Sequence, residues 1–148
     1  MRVTWLTQAG LLFENENIKV LVDPYLTDSL GDIKSAKKRR IAADESFFDV
    51  YPDVILITHS HLDHLDPATL SRFLEREDKT ITVLAGTSAY NKIVELGYDH
   101  NVVLLAPHSV YSVGGVTFYS VKAEHIQSGS IQSEHIQSGS IQTGHIQT

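Results

Sequence analysis

Hydrophobic and polar positions along this chain fall into short runs whose period changes. Residues 2–6 and 11–14 read as two strands joined by the turn-prone Gln8-Ala9-Gly10, and the polar "ENEN" at 14–17 turns the chain into a third strand over 18–22. That strand ends at Asp23-Pro24, because proline lacks the next ladder donor, so Asp23 is predicted at a strand end, where α/β folds place their chemistry. Residues 25–52 lose the pattern; a connection this long in a compact domain is usually functional or mobile. Residues 54–58 are an apolar run without alternation, as expected of a strand buried on both faces.

Asp66 and Pro67 predict the N-cap and first position of a helix reaching about Arg76, with Leu70, Phe73 and Leu74 on one face. Residues 80–85 predict another strand, and Thr87 the N-cap of a helix stopped by Gly97. Residues 102–105, 109–112 and 116–121 are further strands, the last two joined at Gly114-Gly115 as a hairpin. An antiparallel start, βα units and an antiparallel finish make the class α/β.

After Ala123 the pattern breaks. The sequence becomes a ten-residue repeat with isoleucine at 126, 131, 136, 141 and 146, a period of five that fits neither helix nor strand. The chain is therefore expected to divide into a domain over 1–125 and a low-complexity tail over 126–148. By itself the tail lacks the apolar mass to offset its ordering entropy. Isoleucine at that period also suits a pentapeptide-repeat-like solenoid acting as a binding module, although so short a segment makes scarcely more than one coil. Glu134, His135 and His145 give the tail a third reading as a source of metal ligands.

Composition narrows the partners. The 148 residues suffice for one domain with a core, and the net charge of −6 gives no electrostatic reason to bind nucleic acid or an anionic membrane. No segment approaches the roughly 18 apolar residues of a membrane span, and the N-terminus lacks a secretory pattern, so a cytoplasmic location is expected. With no cysteine, any metal must be held by imidazole and carboxylate. The run "KKRR" at 37–40 reads as a solvated face that a phosphorylated substrate could use if the loop folds over a site. His100 and His108 carry no partner pattern and read as surface residues; Tyr25 reads as packing.

The chemistry concentrates in "ITHSHLDHLD", residues 57–66. His59 and His61, two apart in an extended segment, can turn to one ion, whereas Asp63 and His64 follow a turn toward a second, as two-metal hydrolytic sites arrange at roughly 3.5–4 Å. Asp63 could orient a metal-activated water and carry a proton to the leaving group, which makes it the candidate catalytic residue.

"THSHLDHLD" after an apolar strand, with "VDPYL" upstream, resembles the H-x-H-x-D-H signature of the metallo-β-lactamase superfamily. "TWLTQAGLLFE", "VLVDPYL" and "VKAEH" are similar to its L-ascorbate-6-phosphate lactonase-like branch. The resemblance runs over residues 1–125 and implies an αββα sandwich with metals at one edge of two packed sheets. It implies His59, His61 and His125 on a first metal, Asp63 and His64 on a second, and Asp23 supporting a ligand histidine from behind. Two Zn²⁺ are implied, with Mn²⁺ as the alternative.

Where many relatives have a histidine in the first turn, this chain has Gln8. The family continues past the "AEH" histidine with a second half, including a bridging aspartate, and here the repeat stands in its place. The sandwich is therefore expected truncated to its N-terminal half. Two functions stay open: a hydrolase acting on a small-molecule ester, lactone or phosphoester, or a non-catalytic form that binds one metal or none and whose open sheet favours association into a homo-oligomer.

Overall fold

A computed structural model describes residues 1–76, 80–98 and 101–122. Six strands form one sheet in sequential order: β1 (Arg2–Trp5), β2 (Leu11–Glu14), β3 (Lys19–Val22), β4 (Val54–Ile57), β5 (Thr82–Ala85) and β6 (Val102–Leu104). The β1/β2 and β2/β3 pairs are antiparallel, and β3 to β6 run parallel. Short α1 (Ser29–Ile33) lies between β3 and β4, α2 (Pro67–Leu74) between β4 and β5, and α3 (Thr87–Glu95) between β5 and β6.

Alternation along each strand sorts two cores. Leu12, Leu21, Ile55, Val83 and Val102 stand in one register row and pack with Leu70 and Phe73 of α2 and Ala89 and Ile93 of α3. The intervening Phe13, Val20, Val54, Leu84 and Val103 turn to the other face. There they meet Tyr111, Val113, Val116 and Phe118 of a two-stranded hairpin, β7 (Val110–Val113) and β8 (Val116–Tyr119). Apolar side chains on both faces explain why these strands read as continuous rather than alternating runs. Helices, sheet and hairpin give three layers of the expected sandwich among the described residues, an incomplete α/β fold.

Most predicted elements form within one or two residues of their expected bounds. The hairpin turns at Gly114 (φ 57°) and Gly115 (φ 76°), the two left-handed residues that a type I′ turn demands. Three expectations are corrected. Gly86, not Thr87, is the N-cap of α3, and Thr87 is its first residue. Residues 25–52 are not a loose connection, since α1 and two 3₁₀ turns run through them and Tyr25, Leu26 and Phe48 are buried. Residues 37–40 are not uniformly solvated: Arg39 is half-buried over the Tyr25 ring, 4.4 Å from its centroid.

Among the described residues no helix is long and apolar enough to cross a membrane. His108 is exposed, whereas His100, His125 and the whole of 126–148 lie outside the described residues.

Candidate metal centre

Three parallel strands end beside one another and place the site. Beyond β3, Asp23 N–H donates to Leu56 O at 2.9 Å, and beyond β5, Gly86 N–H donates to Ile57 O at 3.1 Å. Both residues therefore flank Thr58, the first residue after β4. This is the carboxyl edge of the sheet, where open α/β folds bind ligands.

Asp23 is buried, 3% exposed, and its φ of 43° is a left-handed conformation that aspartate tolerates better than most residues. Its carboxylate accepts from Thr58 N–H at 2.8 Å, from the Thr58 hydroxyl at 2.7 Å, and from His64 Nδ1 at 2.8 Å. A carboxylate has no proton to give, so His64 carries a proton on Nδ1, and in the neutral ring Nε2 is the nitrogen without one. The Thr58 hydroxyl spends its one proton on Asp23, so at 3.0 Å from His59 Nδ1 it accepts. The neutral His59 ring is thereby fixed in the same tautomer, its Nε2 unprotonated and facing His61 Nδ1. Both rings are oriented from behind in the manner of metal-bound imidazoles.

His61 and His64 both stand close to His59. The His59 ring lies 4.0 Å from His64 and 4.6 Å from His61 between centroids, and His59 Nε2 stands 3.1 Å from His61 Nδ1. Two nitrogens on one tetrahedral zinc, each at about 2.0–2.1 Å, are about 3.3 Å apart. The His59–His61 pair thus has nearly the separation of two ligands of one ion, and imidazole with carboxylate is a donor set that zinc accepts. Among the described residues no three His, Asp or Glu side chains form a ligand set around one point. The expected third donor, His125, lies outside them. Asp63 sits half-buried in the turn that closes through His64 N–H and Leu65 N–H to His61 O, at 2.9 and 2.7 Å.

Two supports were not legible beforehand. A Cβ on Gly86 would fall 2.5 Å from Thr58 O, so only glycine lets the end of β5 approach the histidine turn this closely. Asp66, 2% exposed, caps α2 as expected through Ala68 and Thr69 N–H. It also accepts from the hydroxyls of Thr27 at 2.6 Å, Ser29 at 2.9 Å and Thr69 at 2.5 Å, tying α1 to the helix that follows the histidines. Hydroxyl residues at 27 and 29 were the signal available, but nothing local said which carboxylate they served. Tyr25 packs as expected, and its hydroxyl accepts from Leu30 N–H at 3.1 Å.

The profile of a family described as "Beta-lactamase superfamily domain" matches residues 2–141. A UPF0173 metal-dependent hydrolase of Methanopyrus kandleri is 43% identical over 68 residues, covering 46% of this chain and 25% of that protein. The crystal structure of CmlA, a diiron beta-hydroxylase from Streptomyces venezuelae, matches with TM-score 0.60 at 23% identity, over 81% of this chain and 23% of that one. An isothiocyanate hydrolase from Delia radicum gut bacteria matches with TM-score 0.59 at 22% identity, over 80% of this chain and 46% of that one. At these identities the two structures speak for the fold. The chain spans about a quarter of the length of the curated relative.

Proposed function

This chain belongs to the beta-lactamase superfamily, and from that premise we propose that it serves as a metal-dependent hydrolase of a small ester, lactone or phosphoester, with zinc as its ion. The observation that carries this is the orientation of the His59 and His64 rings, each fixed by a hydrogen bond at Nδ1 traceable to the buried Asp23, which leaves Nε2 as the ligating nitrogen of the neutral ring.

His59, His61 and His64 would hold the ion or ions, with Asp63 as a further ligand and His125 completing the first site, as the resemblance to the family implies. A divalent ion bound there supplies Lewis acidity and hydroxide near neutral pH. Asp23 and Thr58 hold the rings in register, so no imidazole has to reorient at the moment of reaction. Asp63 orients the attacking water and returns its proton to the leaving group. The lactonase-like branch, Mn²⁺ as an alternative ion and a cytoplasmic location belong to the same reading, as does a boundary near residue 125.

A second reading has its own support. The chain spans about a quarter of its curated relative, and no complete ligand set stands among the described residues. In this reading the protein binds one metal or none and does not turn over substrate. Metal per chain, measured by mass spectrometry on full-length protein prepared with zinc, separates the two together with hydrolysis of 4-nitrophenyl esters and bis(4-nitrophenyl) phosphate. Near two ions, and turnover abolished in His59→Ala and Asp63→Ala, supports the hydrolase. Turnover retained in both variants would sink it, and one ion or none without turnover selects the second reading.

A further inference from the structure

A cleft lies on the strap between α1 and the 3₁₀ turn Glu45–Asp49. It has a volume of about 480 Å³ and is lined by Trp5, Thr7 and Gln8 on one side and by the four cations of residues 37–40 on the other. No acidic side chain lines it, in a chain whose net charge is −6.

Two of the lining residues carry buried polar atoms without a hydrogen-bond partner: the Thr7 hydroxyl and the Arg39 Nε and Nη1. The rest of Arg39 is committed. Nη2 donates to Tyr25 O, the backbone N–H donates to Asp28 Oδ1 at 3.1 Å, and the guanidinium carbon stands over the Tyr25 ring. The side chain is therefore held in place while two of its nitrogens lack acceptors. Leaving charged donors buried and unpaired costs more than an ordinary lost hydrogen bond, so a small side-chain shift that brings them to an entering anion is favoured. Burial pushes the Arg39 guanidinium below its ordinary value, against the opposing effect of Tyr25, Asp28 and Asp66. Asp28 and Asp66 are thus the acidic groups that face Arg39 from its neighbours, and neither lines the cleft.

The cleft also carries exposed apolar surface. Trp5 is 62% exposed and its indole is pinned by Nε1–H donating to Gln8 O at 3.0 Å, while Ile41 is 67% exposed at the same cleft. Thr7 and Gln8 both have left-handed backbones, φ 79° and 50°, and for a β-branched threonine this is a strained conformation of the kind found at ligand sites.

We propose that this cleft binds an organic anion, its phosphate or carboxylate head taken by Arg39, the neighbouring cations and the Thr7 hydroxyl, and its flat apolar body laid on Trp5. The inference stands apart from the metal reading.

Trp5 is the one tryptophan in the sequence, so its emission reports on this cleft alone. The test is a fluorescence titration of full-length protein with phenyl phosphate, in EDTA so that metal plays no part, with phenol as the uncharged control. A saturable change is expected with phenyl phosphate and not with phenol, weakening as salt is raised. Arg39→Gln should weaken binding by about 10–100-fold, the worth of hydrogen bonds to a charged group. Lys38→Gln, at an exposed position, should weaken it by about two- to fivefold. Equal responses to phenol and phenyl phosphate, no saturable response up to tens of millimolar, or wild-type affinity in both variants would overturn the proposal. Because the metal is removed, failure here leaves the histidine site untouched.

Discussion

Asp23 and His64 meet at 2.8 Å although 41 residues separate them in the chain, and through Thr58 the same carboxylate also governs the tautomer of His59. One buried side chain thus sets which nitrogen two histidines present.

Asp23→Asn is expected to reverse part of that arrangement. An amide can still accept from Thr58 N–H through its oxygen, but the NH₂ group then faces the Thr58 hydroxyl and His64 Nδ1, and must donate to them. Long-range ¹H–¹⁵N NMR of the imidazoles should show His64 moving from the Nδ1–H to the Nε2–H form. An unchanged tautomer would contradict the assignment. Asp23→Ala should cost about 2–4 kcal/mol in urea denaturation, since it leaves buried donors unpaired and places alanine at positive φ.

Gly86→Ala should damage the centre without touching a histidine. A Cβ 2.5 Å from Thr58 O forces the ends of β4 and β5 apart, an overpacking expected to cost about 1–3 kcal/mol. It should also lower zinc uptake, read by mass spectrometry. Gly97→Ala is the control: it meets nothing within 4 Å but sits at φ 89°, so it should cost about 1–2 kcal/mol and leave zinc uptake unchanged.

Asp66→Ala removes the acceptor that three hydroxyls and the first turn of α2 share. A loss of about 2–4 kcal/mol is expected, combining a lost cap with buried donors left unpaired. Hydrogen exchange should quicken first in residues 26–33, which Asp66 ties down, while β4 and β5 stay protected. Uniform acceleration through the sheet would show that the network is no local clamp.

Burial raises the Tyr25 phenol above its ordinary value near 10, partly offset by the Leu30 N–H it accepts. The folded state therefore holds this proton more tightly than the unfolded chain. Its contribution to stability is full below pH about 10 and falls as pH rises from there through the folded value. Tyr25→Phe should flatten the alkaline limb of the urea-stability profile, leaving the contribution of Tyr98, whose hydroxyl is also raised by burial and by Glu75. An unchanged limb would assign the alkaline loss to other groups.

Local signals carried much of this protein. The apolar run at β4, the Asp66-Pro67 start of α2 and the paired glycines of the hairpin were legible because strand period, capping and turn chemistry depend on residues a few positions apart. So was the histidine cluster, whose members share one turn. Thr87 misled because its neighbour Gly86 occupies the cap; close approach to Thr58 O fixes glycine there, and no local pattern reports a contact across strands.

What the tertiary structure alone decided is which distant groups meet. Parallel register between β3, β4 and β5 brings Asp23 and Gly86 to either side of Thr58, and the path of residues 25–41 lays Arg39 on Tyr25 with two nitrogens unpaired. Those juxtapositions follow from the packing of both sheet faces at once. A sequence specifies the side chains, but only the closed core determines which carboxylate stands behind which imidazole.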